Sequence, residues 1–122
     1  MKEILEQYLA AVNTLDFSEV SKYMHTNALF CLSDHENAGI EKIKEHHEMF
    51  WSGLKDGKFW ATDVKWLHTD ERMLVCSYKI NFSGYIEGNY AEGSEITTDI
   101  FIKDITGNWK LVLSQCTEKH QP

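Results

Sequence analysis

The residue most at odds with its surroundings is Asp99, a carboxylate inside the apolar run from Ile96 to Ile102. If it faces inward, loss of water disfavours the charged form and raises its pKa, so the acid is expected to stay protonated near neutral pH and to donate a hydrogen bond. Its phase is opposite to Ile100 and Ile102 yet shared with Phe101, so a solvent-facing Asp99 paired with Lys79 or Lys103 is the other reading. His46 and His47, flanked by Glu45 and Glu48, look at first like a metal cluster. Adjacent helical side chains diverge by about 100°, however, and chelation favours ligands at i and i+4. The residues four away are Lys42 and Phe50 for His46, and Ile43 and Trp51 for His47, none of them a ligand. No metal site is predicted. His47 does fall on an apolar stripe, either as a core histidine bonded to a neighbour or as an acid–base residue of a pocket.

The aromatic supply is large for a short chain. Trp51, Trp60, Trp66, Tyr78 and Phe82 either fill a core or wall a pocket for a flat apolar ligand. Gln115 and Thr117 share a face with Leu113 under strict alternation and would place polar groups at the closed end of such a pocket. Cys31, Cys76 and Cys116 are odd in number, lack a C-x-x-C spacing and sit in apolar stretches, which reads as reduced thiols acting as small hydrophobes in a cytosolic protein. No Ser–His–Asp pattern and no phosphate-binding glycine loop is evident, and no cofactor is predicted.

These residues must be positioned by elements legible in the spacing. Ile4, Leu5, Tyr8, Leu9, Val12 and Leu15 recur at helical intervals, predicting a helix over about residues 2–14. Asp16, with Glu19 three residues on, reads as the cap of a second, shorter helix. The continuous apolar run 28–32 reads as a buried strand, 33–39 as a turn, and the stripe Ile40, Ile43, His47, Phe50 or Trp51 and Leu54 as a third helix. From Lys58 the period changes to two, predicting four strands joined by turns at 68–72, 84–93 and 104–108. The order α-α-β-α-β-β-β-β in a single domain, 1–122, predicts an α+β cone: three N-terminal helices on a curved, mostly antiparallel sheet, with a concave apolar mouth. Val112 and Cys116, opposite Leu111 and Leu113, imply that the last strand is covered on both faces, and hence a homodimer through the sheet.

The formal charge of −7, with no basic run, argues against a nucleic-acid partner. Glu3 and Glu6 interrupt the apolar positions of the first segment, so neither a signal peptide nor a membrane span is predicted, and a cytoplasmic protein is expected.

Three stretches carry a family resemblance: LEQYLAAVNTLDFSEVSKYMHTNALF, GIEKIKEHHEMF and TDIFIKDITGNWKLV. Together they resemble the NTF2-like superfamily, and within it the SnoaL-like and ketosteroid-isomerase-like proteins, over nearly the whole chain. The resemblance implies a small-molecule pocket, with isomerase, cyclase or dehydratase chemistry on an apolar, carbonyl-bearing ligand. It implies Tyr8 and Asp99 as the donors that hold a developing oxyanion. The position of the isomerases' carboxylate base falls on Leu32, which cannot move a proton, leaving Asp34 as the substitute. The superfamily also includes modules that only dimerise or bind proteins, so a non-catalytic association domain stands as the alternative.

Overall fold

The computed structural model describes residues 2–118. Helix α1 (Glu3–Val12) is followed by the short α2 (Phe17–Val20), a single 3₁₀ turn (Ser21–Tyr23), and strands β1 (Met24–Cys31) and β2 (Glu36–Ala38). Helix α3 (Ile40–Ser52) then leads into β3 (Lys55–Thr69), β4 (Met73–Ile86), β5 (Asn89–Lys103) and β6 (Trp109–Glu118). The α+β class is as expected, but the order gains a strand. β2 forms inside the segment read as a turn, because Glu36–Ala38 pair back antiparallel onto Leu29–Cys31.

The six strands form one sheet in the order β2-β1-β6-β5-β4-β3, with only the β1–β6 pair parallel. The segment 84–93 is mostly strand rather than turn. β4 and β5 stay in register from Met73↔Ile102 to Ile86↔Asn89, and the chain reverses in two residues, Glu87 and Gly88, both at positive φ. That is the geometry whose twist matches paired strands. β3 carries three register shifts, between Lys55 and Lys58, Thr62 and Lys65, and Trp66 and His68, with Asp56 and Asp63 at φ 56°. Each bulge bends its strand and increases the twist, which curls the sheet's end around the helices.

α1 and α3 present Ile4, Leu5, Tyr8, Val12, Ile43, His47 and Trp51 to the concave face. They meet Leu74, Cys76, Tyr78, Phe101 and Leu111 of the sheet. Asp16 caps α2 as expected, accepting from the Ser18 backbone N–H at 3.0 Å and its hydroxyl at 2.7 Å. No helix among the described residues is long and apolar enough to cross a membrane.

Candidate functional site

A cavity of about 120 Å³ opens between α1, α3 and the concave sheet face. Its walls are apolar and aromatic: Leu9 and Val12 from α1, Phe50 and Trp51 from α3, Phe30, Phe59, Ile80 and Phe82 from the strands, and Leu32 just beyond β1. Its polar atoms come from Tyr8, His46, His47, Tyr78, Glu95, Thr97, Ser114 and Cys116.

Behind this floor lies Asp99, fully buried on β5. Its Oδ2 accepts from the Tyr78 hydroxyl at 2.5 Å, and its Oδ1 accepts from the Ser114 hydroxyl at 2.6 Å. The inward face of β5 therefore holds Thr97, Asp99 and Phe101, and pairing with Lys79 or Lys103 is excluded. Burial raises the Asp99 carboxyl from 3.8 to about 6, while the bonds from Ser114 and Tyr78 pull it back down. At pH 7 most of it is ionised, which corrects the expectation of a protonated donor: two short bonds that stabilise the anion offset part of the desolvation. Burial also pushes the Tyr8 and Tyr78 phenols well above 10, with the Asp99 charge adding to it, so both stay protonated. Cys76 and Cys116 are pushed up to about 12 by burial and are inert as nucleophiles at neutral pH.

Ser114 reaches Asp99 through an irregularity in β6. Ile100 pairs with Leu113 but Phe101 pairs with Leu111, leaving Val112 as an extra residue. Leu111 thus points inward, and beyond the bulge Ser114 and Cys116 do, while Leu113, Gln115 and Thr117 turn outward. Strict alternation had put Gln115 in the pocket and Cys116 on the outer face; the bulge reverses both. Trp60 is displaced by the same cause. Phe59 and Ala61 face inward, and the shift between Thr62 and Lys65 changes the parity again before Trp66, leaving Trp60 44% exposed on the outer face.

His47 is buried on α3, with Nδ1 donating to the Ile43 carbonyl at 2.9 Å and its ring packed edge-on to Phe17, Phe30 and Trp51. Desolvation pushes it from 6.5 down to about 4, so it is neutral above pH 5. His46, one position around the helix, is half-buried at the rim, where burial and His35 lower its pKa. Asp34 is remote from the floor. It is exposed in the β1–β2 loop and bonded to His35 Nδ1 at 2.6 Å, so the substitute-base placement is not observed. Leu32 itself lines the cavity. Tyr8, His47, Trp51 and Tyr78 converge on one cavity, whereas Asp99 acts on it only through Tyr78 and Ser114. The contribution of Ser114 escaped sequence reasoning, since serine in an alternating strand carries no signal of facing in. Glu95 did too, although it shares the inward parity of Thr97 and Asp99.

Solved structures of the same shape settle the architecture. An NTF2-like superfamily protein from Salmonella enterica superposes with a TM-score of 0.85 at 12% identity, covering 98% of this chain and 88% of the other. The protein has the NTF2-like, cystatin-like fold. A hexachlorocyclohexane dehydrochlorinase of the LinA-type3 kind from Novosphingobium barchaimii shares the NTF2-like frame at a TM-score of 0.78 and 13% identity, over 98% and 84% of the two chains. A candidate calcium/calmodulin dependent protein kinase II association domain from Xanthomonas campestris shares it at 0.79 and 18%, over 99% and 86%. No family model matches the sequence, and no curated protein does.

Proposed function

We infer that this NTF2-like chain is a small-molecule pocket protein for a compact, apolar ligand bearing one oxygen function. The observation that carries this is the buried Asp99, which holds Tyr78 and Ser114 at the floor of an otherwise aromatic cavity. Ordering three polar groups in a dry interior is costly, and a fold that needed only a core would fill this position with an alkyl side chain. Size narrows the ligand. A cavity of about 150 Å³ accommodates benzene, so about 120 Å³ suits one ring or a short branched chain, not a steroid. Acid–base turnover is the finer form of this reading. With Leu32 at the isomerases' base position and Asp34 outside, it would fall to His46, His47 or Glu95, the imidazole and carboxyl groups that line the cavity. Titrating labelled protein with toluene and cyclohexanone tests the reading. Amide shifts confined to α1, α3 and the cavity-lining residues of the concave sheet face are expected, and no shifts up to millimolar ligand would overturn it.

The outer sheet face favours a second role beside the first. Ile96 is half-exposed there, with Ile100, Ile102, Leu113 and Leu29 partly exposed around it. A second copy covering this face would make a homodimer seated on these residues, with Cys116 lying on the inward face instead. Light scattering at micromolar concentration should return twice the chain mass, and a monomer mass removes the proposal.

A further inference from the structure

The protons of the cavity floor are already committed. The Tyr78 and Ser114 hydroxyls both donate to Asp99, and the Thr97 hydroxyl donates to Cys116 Sγ at 3.5 Å. Each oxygen then faces the cavity with lone pairs. On the helix side the tautomer of His47 is fixed. A carbonyl can only accept, so the bond to Ile43 requires the proton on Nδ1 and leaves Nε2 bare. With Nδ1 turned back onto α3, Nε2 is the ring's outer nitrogen, and the ring lines the cavity. Tyr8 is the exception among the hydroxyls, with no hydrogen bond to another side chain among the described residues. Among the floor hydroxyls and His47, the pocket therefore presents several acceptors and a single free hydroxyl donor, that of Tyr8.

We propose that His47 Nε2 is the acceptor that takes the ligand's hydroxyl proton, and that the pocket selects small ring compounds carrying a hydroxyl, a phenol being the simplest, over carbonyl compounds of the same size. This rests on the small-molecule reading above and deepens it. A carbonyl can take the Tyr8 donor but leaves His47 Nε2 unpaired, whereas a phenol donates to His47 and stacks among Phe30, Phe50 and Trp51. Leaving a buried acceptor without a donor is what penalises the wrong ligand.

The test compares phenol, toluene and cyclohexanone on the intact chain by calorimetry, with ¹⁵N spectra of the histidine rings. In the free protein His47 should show a protonated Nδ1 and an unprotonated Nε2, and phenol should move the Nε2 resonance while toluene does not. Phenol should bind about tenfold more tightly than either competitor. Within the His47→Phe variant phenol should bind no more tightly than toluene. If all three ligands bind alike and Nε2 does not move, the assignment of His47 fails while the pocket reading stands. If none binds, the pocket reading itself has failed. The nitrogen spectra of the wild-type protein decide the tautomer even if the variant does not fold.

Discussion

Two buried ionisable groups flank the same cavity, His47 in its helix wall and Asp99 behind its floor, and the fold treats them in opposite ways. Asp99, on the sheet, is given two hydrogen-bond donors and remains largely charged at neutral pH. His47, on the helix, is given a backbone carbonyl and aromatic rings and remains neutral. Desolvation acts on both, raising the acid and lowering the base. The difference lies in what each wall can offer. A strand pair places side-chain hydroxyls directly across from one another, as Ser114 lies across from Asp99. A helix interior offers only its own carbonyls, which stabilise a neutral N–H donor at little cost.

The largest test of this comparison is in the pH dependence of stability. In the folded protein Asp99 titrates near 6 against an ordinary 3.8, so the native state holds a proton that the unfolded chain has released. Its contribution to stability therefore falls as pH rises from about 4 to 6. His47 titrates near 4 against an ordinary 6.5, so there the unfolded chain binds the extra proton, and its contribution rises from about pH 4 to 6.5. At about 1.4 kcal/mol per pH unit, each displacement amounts to about 3 kcal/mol, with opposite sign. The two nearly cancel. Relative to wild type, Asp99→Asn should gain stability by about 3 kcal/mol across this window as pH rises, and His47→Phe should lose about as much. Urea midpoints of the three proteins at pH 4, 5, 6 and 7 would show it. Variant curves parallel to wild type would mean that neither group is perturbed as described. Asp16, Asp34, Asp70 and Asp104 are all held below their ordinary value, so they titrate beneath the window.

A smaller effect separates the donors from the charge. Tyr78→Phe and Ser114→Ala each leave one buried carboxylate oxygen without its partner, costing about 2 kcal/mol at pH 7. The loss should shrink below pH 6, where Asp99 takes up a proton, and carboxyl titration by NMR should place Asp99 above its wild-type value in both variants. A pH-independent loss would assign these hydroxyls to packing alone.

Much of the architecture was legible in the sequence because it depends on local repetition. The stripe that buries Ile43, His47 and Trp51, the Asp16 cap and the change of period near Lys58 are properties of short windows. The inward parity of Asp99 was also within reach, since Phe101 shares it. The short β2 was not, because its three residues acquire strand geometry only by pairing with β1. The Glu87–Gly88 turn was hidden among the glycines around it. Gly84 and Gly93 lie within strands, where a methyl group would meet Leu54 and Phe82 at 2.5 and 2.6 Å.

Sequence alone determined which residues alternate; tertiary structure decided where the alternation changes phase. A single extra residue reverses every side chain beyond it, and whether a strand bulges depends on how it must bend against its neighbours. The shift in β3 puts Trp60 outside and Trp66 partly inside. The extra residue Val112 in β6 turns Gln115 out and Ser114 in, onto the oxygen of Asp99. The cavity floor exists because of that second bulge, and no pattern within β6 records it.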